Sequence, residues 1–136
     1  PLMISMTVTD MSGRNLSGHS VEAFWYAVRH AKPLTIGLNC SFGADLLRPH
    51  VQALSPLADT LVMVYPNAGL PNDLGQYDEL PETTGAFINI VGGCCGTTPA
   101  HIAAMAGAVN GRAPRAVPHP ARAMRLAGLD PMTLAA

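Results

Sequence analysis

This sequence has almost no net charge, no long apolar run and too few cysteines for a disulfide framework. Its 136 residues carry 8 Lys and Arg against 9 Asp and Glu, and the net charge of -1 predicts no nucleic-acid partner. No apolar stretch is long enough to span a membrane and no signal peptide opens the chain, so we expect no membrane partner. An odd count of three cysteines does not fit a secreted disulfide framework, which favours the cytoplasm.

Strand and helix signals alternate along the chain. Short apolar runs predict strands at residues 2–5, 34–39, 61–64 and 86–91, and helical spacing predicts helices at about 20–30, 43–54 and 98–109. Continuous apolar strands that alternate with helices are typical of parallel βαβ units. Four such strands, with polar residues at their carboxyl ends, predict an α/β fold that forms half of a (β/α)8 TIM barrel.

The segment before the fourth strand departs from this pattern. A parallel crossover usually contains a helix, but the stretch from Glu79 to Gly85 is too short for one. We therefore expect residues to be missing between Thr84 and Gly85. A complete barrel takes about 250 residues, and Pro1 is not a natural start. The sequence thus predicts an excised piece of a longer protein, which continues upstream with further βα units.

All three thiols follow predicted strands. Cys40 ends the second apolar run, and Cys94 and Cys95 follow the fourth, between Gly92-Gly93 and Gly96. Three sulfur ligands with one open position suit a catalytic zinc whose substrate is itself a thiol. The alternative is that Cys40 is a small buried apolar residue and that Cys94 and Cys95 are a strained vicinal pair. We interpret the glycines as structural, because they let the backbone turn sharply so that both adjacent thiols reach one metal.

Other polar residues are weaker candidates. Asn67 follows the third strand, where its side-chain oxygen could be the fourth zinc ligand or could support a turn. Asp10, Arg14 and His19 lie in the first loop, where they either shape a substrate pocket or form a hydrogen-bonded loop network. Thr98-Pro99 is interpreted as a helix cap.

The carboxyl-terminal segment has a different composition. Pro and Arg dominate from Asn110 onward. The domain organisation predicted is therefore a partial barrel domain at 1–110 and a linker toward a following domain at 111–136. The arginines of this linker are expected to be solvated, and they are Arg112, Arg115, Arg122 and Arg125.

Three motifs carry a family resemblance. Residues 37–40 (Gly-Leu-Asn-Cys), 65–72 (Tyr-Pro-Asn-Ala-Gly-Leu-Pro-Asn) and 92–99 (Gly-Gly-Cys-Cys-Gly-Thr-Thr-Pro) resemble the zinc-dependent homocysteine S-methyltransferase family. Residues 12–18, 77–79 and 125–131 narrow the resemblance to the homocysteine-binding module of cobalamin-dependent methionine synthases. In that family the module is a full (β/α)8 barrel, and this chain is similar to its fifth to eighth strands.

The resemblance implies an activity. Zn²⁺ held by Cys40, Cys94 and Cys95 would bind homocysteine as a thiolate, and methylcobalamin on another module would supply the methyl group that yields methionine. The partners implied are the cobalamin and folate modules of the same or a partner protein. The half of the barrel that holds the amino-acid part of homocysteine is absent here, so the isolated chain is expected to be inactive. The alternatives are a methyltransferase that uses betaine or S-methylmethionine, and a non-catalytic zinc-stabilised module.

Overall fold

The computed structural model describes residues 1–39, 43–68 and 89–134. These residues form six strands and three α-helices: β1 Met3–Thr7, α1 Val21–Val28, β2 Thr35–Asn39, α2 Ala44–Leu54, β3 Leu61–Tyr65, β4 Ile90–Val91, α3 Pro99–Val109, β5 Met124–Ala127 and β6 Pro131–Leu134. A single 3₁₀ turn, Arg29–Ala31, extends α1. Within these ranges no helix is long and apolar enough to cross a membrane.

The first four strands form one parallel sheet in the order β1-β2-β3-β4. The predicted parallel α/β architecture is therefore confirmed. Each strand lies beside the one that precedes it in sequence, so every crossover moves one position in the same direction. A singly wound barrel has this order, whereas a doubly wound sheet reverses direction at a switch point. The four strands are thus consistent with part of a barrel, and the complete barrel stays a prediction.

The core lies between the sheet and helices α1 and α2. Strands β1, β2 and β3 and helices α1 and α2 all contribute buried apolar side chains to this core. Among them are Ile36, Leu38, Leu47 and Val62. Trp25 of α1 is 1% exposed, and its indole N–H donates to the carbonyl oxygen of Leu57 at 3.0 Å. The ring therefore fills the core without leaving a buried donor unpaired.

Local signals set the helix boundaries as the sequence predicts. The hydroxyl of Ser20 accepts a hydrogen bond from the amide of Ala23 at 3.2 Å and begins α1. Thr98 and His101 form a capping box at α3, and Pro99 occupies the first turn. The interpretation of Thr98-Pro99 as a cap is therefore confirmed. Residues 89–91 of the predicted fourth strand lie within the described residues, where Ile90–Val91 form β4, and the Thr84–Gly85 junction lies outside them.

The segment after α3 is more ordered than a plain linker. β5 and β6 form an antiparallel hairpin that packs against α1, and Arg125 lies over the ring of Tyr26 at 5.4 Å. Arg14 joins the hairpin turn to the first loop by an ion pair with Asp130 at 2.7 Å. The domain boundary at 110 remains a prediction.

Arg115 corrects one expectation for this segment, since its side chain is not solvated. The guanidinium donates to the carbonyl oxygens of Ser55, Ala58 and Thr60 and to the side-chain oxygen of Asn89. Burial lowers the pKa of this guanidinium from its usual value. Composition suggested a solvated arginine, but the half-buried guanidinium is bonded to carbonyl oxygens at the end of α2 and in the segment that leads into β3.

Candidate active site

The carboxyl ends of β2, β3 and β4 lie side by side. Asn39, the last residue of β2, is in register with Tyr65, the last residue of β3. Val64 is in register with Val91, the last residue of β4. Parallel strands that end at one level deliver the residues that follow them to a common edge. The Asn67 segment and the two adjacent cysteines therefore meet at this edge.

Backbone hydrogen bonds hold the segments after β3 and β4 together beyond the strands themselves. The amide of Cys94 donates to the carbonyl oxygen of Pro66 at 2.9 Å, and the amide of Ala68 donates to the carbonyl oxygen of Cys95 at 3.1 Å. The amide of Thr97 then closes the turn on the carbonyl oxygen of Cys94 at 3.1 Å. The cysteine turn is thus tied to its neighbour and to itself, which fixes its backbone.

Glycine is required around the cysteine pair. A Cβ at Gly92 would lie 2.7 Å from the ring of Tyr65, and one at Gly93 would overlap the side chain of Thr97. Gly96 has a φ of +77°, in the left-handed region that favours glycine. These observations support the structural interpretation of the three glycines: they permit the sharp turn that presents both thiols.

The two sulfur atoms of this turn lie close together. The Sγ atoms of Cys94 and Cys95 are 3.8 Å apart, a distance far beyond the roughly 2.05 Å of a disulfide bond. Cys95 is exposed and Cys94 is half-buried. Two sulfurs are therefore presented as separate thiols, at least one of them open to solvent.

Asn67 supports the cysteine turn directly. It is 8% exposed, and its Oδ1 accepts a hydrogen bond from the amide of Cys95 at 3.2 Å. This contact agrees with the turn-supporting alternative of the sequence analysis. A carbonyl oxygen has two lone pairs, so the bond leaves room for a second partner, and the role of Asn67 as a fourth metal ligand stays a prediction.

The predicted third ligand, Cys40, lies outside the described residues. It follows Asn39 in the sequence, directly after the end of β2. Within residues 1–39, 43–68 and 89–134, no three side chains of Cys, His, Asp or Glu gather as a metal site. The described part of the chain thus supplies two adjacent sulfurs, and the three-thiolate set stays a prediction.

A polar network that the sequence analysis missed borders the same edge. The hydroxyl of Ser5 donates to Oδ1 of Asn39 at 2.5 Å, and Nδ2 of Asn39 donates to the hydroxyl of Thr7 at 3.0 Å. These bonds tie the end of β2 to β1. The signal was present in the sequence, because β1 and β2 each end in a polar residue, Thr7 and Asn39, but the pairing depends on a register that only the fold provides.

The first loop forms a hydrogen-bonded network. Oδ1 of Asp10 accepts from the hydroxyl and amide of Ser12 and from the amide of Arg14. The Ser12 hydroxyl, followed by the Arg14 amide, holds the pKa of Asp10 below its usual value. The Arg14 guanidinium donates to the Gly18 carbonyl, and the amide of His19 donates to Asn15. The loop-network alternative therefore accounts for the polar contacts of Asp10 and Arg14 and for the backbone contact of His19.

Comparison with known families bears on the edge just described. The model of the homocysteine S-methyltransferase family matches residues 1–109. The chain belongs to this family. The matched region contains the whole parallel sheet, the cysteine turn and α3, and it ends before Arg115 and the hairpin. Membership of this methyltransferase family supports methyl transfer to homocysteine as the general activity.

Proposed function

We propose that this chain is the zinc-binding half of a homocysteine S-methyltransferase barrel of the cobalamin-dependent methionine synthase type. The observation that carries the proposal is the pair of Sγ atoms 3.8 Å apart at the carboxyl edge of the sheet. Active sites of (β/α)8 barrels occupy this edge. A barrel takes about 250 residues, so a chain of 136 residues supplies about half of one.

The spacing of the sulfurs fits a zinc ion. Two sulfurs bound to one tetrahedral zinc at about 2.3 Å are separated by about 3.8 Å, the distance between Cys94 and Cys95. Two bare thiolates at this distance would repel each other by about 4 kcal/mol at an effective dielectric constant of 20. A bound cation would offset this repulsion, so a metal would allow both sulfurs to be present as thiolates.

The strand register supports Cys40 as the third ligand. Asn39, the last residue of β2, is in register with Tyr65, which Pro66 follows at the carboxyl edge, and Cys40 is the next residue in the sequence after Asn39. Cys94 is held at this edge by its hydrogen bond to the Pro66 carbonyl. Neighbouring strands lie about 4.8 Å apart, so a thiol that follows β2 and one that follows β4 would flank the end of β3 from its two sides. Three thiolates would then surround one ion.

The residues at the carboxyl edge of the sheet would have different roles in binding zinc and substrate. When bound, zinc would lower the pKa of the homocysteine thiol and keep its sulfur nucleophilic at neutral pH. Cys40, Cys94 and Cys95 would hold it, and the Gly92-Gly93 turn would keep the two adjacent sulfurs in place. Asn67 fixes the amide of Cys95 and so orients the turn. The exposure of Cys95 leaves the substrate a path to the site.

The donor is proposed to be methylcobalamin on a separate module, with a folate module as a further partner. This finer assignment depends on the resemblance of residues 12–18 and 65–72 to the cobalamin branch. Betaine and S-methylmethionine are the competing donors. Turnover by the parent enzyme with methylcobalamin, and with neither competitor, is the expected result. Turnover with betaine or S-methylmethionine instead would overturn this assignment.

Zinc content tests the metal site. In the full-length parent, Cys94→Ala and Cys95→Ala should each lose zinc by elemental analysis, because two thiolates anchor the ion too weakly. His101→Gln is the matched control, since it removes a possible zinc ligand from the same segment while Gln keeps the capping box with Thr98. Retention of zinc by both cysteine variants, with unchanged activity, would refute the site.

X-ray absorption at the zinc edge separates a catalytic site from a structural one. A catalytic site exchanges its fourth ligand for the sulfur of added homocysteine, so the number of sulfur neighbours should rise from three to four. A structural site has a closed fourth position, and its spectrum would not change. An unchanged spectrum with zinc fully bound would leave the metal assignment standing and overturn the catalytic one.

A further inference from the structure

Two adjoining open cavities lie near the amino end of the parallel sheet, away from the cysteines. Their volumes are about 450 and 480 Å³. The first reaches Pro33 and Thr60, which precede β2 and β3. The second is lined by the segment that leads into β5. Both include the Arg29–Asp59 ion pair, which therefore forms the wall between them. We call these two spaces the basic cavities.

Positive charge is concentrated around the basic cavities. Four of the chain's eight Lys and Arg residues line them against a single acid, Asp59, which gives a local net charge of +3. The whole chain has a net charge of -1, so the remainder carries -4. The four cations are Arg29, Lys32, Arg122 and Arg125. Like charges placed together repel, and an anion bound among them relieves that repulsion.

Several donors in the basic cavities remain available to a ligand. In the described ranges, the side chains of Lys32, Arg122 and His119 make no hydrogen bond or ion pair. Arg125 uses one nitrogen on the carbonyl oxygen of Ala121 at 3.0 Å and rests on the Tyr26 ring. Arginine presents five N–H donors, so Arg125 keeps most of its capacity. The cavities thus offer the cationic groups of Lys32, Arg122 and Arg125, which the described residues leave wholly or largely available to a ligand.

We propose that the basic cavities bind a small, multiply charged oxyanion, with a phosphate ester as the ligand class that fits best. Their volumes lie within the range of small-molecule sites, and guanidinium groups form bidentate hydrogen bonds with the oxygens of phosphate. The site is separate from the cysteine edge, because five-residue strands place the two ends of the sheet roughly 16 Å apart. It therefore does not depend on zinc or on the methyl donor.

Titration with inorganic phosphate tests the proposal. Amide chemical shifts of the ¹⁵N-labelled full chain are followed at constant ionic strength, since diffuse attraction depends on salt. The variants are Arg122→Ala and Lys32→Gly. Glycine is chosen at position 32 because Lys32 has a φ of +47°, which glycine adopts without strain. Arg112→Ala is the matched control, because this substitution removes the same charge from the same segment. Arg112 is exposed and lines neither cavity.

The expected result is saturable binding, with shifts concentrated near Lys32, Thr60 and Arg122. Each variant should weaken binding about tenfold in the cavity that its residue lines, the usual effect of losing one charge-assisted hydrogen bond, and Arg112→Ala should weaken binding in neither cavity. Tricarballylate is titrated in parallel: weaker binding than phosphate supports the phosphate-ester class, and equal or tighter binding overturns that class. Shifts that never saturate, or equal weakening in Arg112→Ala, would show diffuse attraction only and would overturn the site.

Discussion

Arg115 offers the strongest test of how the segment after α3 contributes to stability. Its guanidinium donates to the carbonyl oxygens of Ser55, Ala58 and Thr60, with distances of 2.5 to 3.2 Å. In return, the side-chain amide of Asn89 donates to the Arg115 carbonyl at 2.8 Å. One side chain thus joins the end of α2, the start of β3 and the start of β4, so its loss should weaken the sheet as a whole.

The magnitude follows from the bonds that are lost. A hydrogen bond to a charged group contributes about 1.5–3 kcal/mol, but water can reach some of these carbonyls once a half-buried side chain is removed. We therefore expect Arg115→Ala to lower the free energy of unfolding by about 3 kcal/mol, well below the sum over all its bonds. Arg115→Lys keeps the charge but loses the planar fork, so it should cost about half as much.

Urea unfolding followed by circular dichroism measures this effect. With a slope of about 2 kcal/mol per molar urea, Arg115→Ala should lower the midpoint by about 1.5 M. Arg112→Ala is the control, because Arg112 is exposed and only its backbone amide is hydrogen-bonded. It should change stability by less than about 0.5 kcal/mol. If Arg115→Ala and Arg115→Lys both match this control, the proposed anchoring role is wrong.

Three further predictions address the site and its loops. Gly93→Ala should lower the affinity for zinc, measured by competition with a chelator, because the added Cβ would overlap the side chain of Thr97. Gly107→Ala is the control and should leave the zinc affinity unchanged, because nothing lies within 4 Å of a Cβ at this position. Asn67→Ala should weaken zinc binding modestly, because the hydrogen bond from the Cys95 amide is lost. Asn67→Asp keeps an acceptor for this bond and should weaken zinc binding less. Equal loss of zinc binding in both variants would contradict this role. Because folding lowers the pKa of Asp10, its carboxylate stabilises the fold above the unfolded pKa of about 3.9 and loses this effect as pH falls through the folded pKa. Asp10→Asn should therefore remove part of the stability loss seen below about pH 4 in acid unfolding curves, and an unchanged curve would contradict this.

The sequence by itself determined the elements from β1 to α3 and their order, but not the hairpin of β5 and β6. Ser20 and Thr98-Pro99 mark helix starts because a hydroxyl within three residues of an unpaired amide caps it locally. Unbroken apolar strands that alternate with helices indicate a sheet covered on both faces, which is typical of parallel strands. The turn at the cysteine pair also has a local signal. Glycines on both sides of Cys94-Cys95 indicate a tight turn, independent of the surrounding structure.

Only the tertiary structure decided which distant groups meet. Asn67 reaches Cys95 across 28 residues, and Arg115 reaches Ser55 across 60. Neither contact has a local signature, because an asparagine in a turn and an arginine among prolines look the same in sequence whether they face solvent or a buried carbonyl. Chain proximity governs caps and turns, whereas the register of neighbouring strands and the path of the segment after α3 bring these partners together.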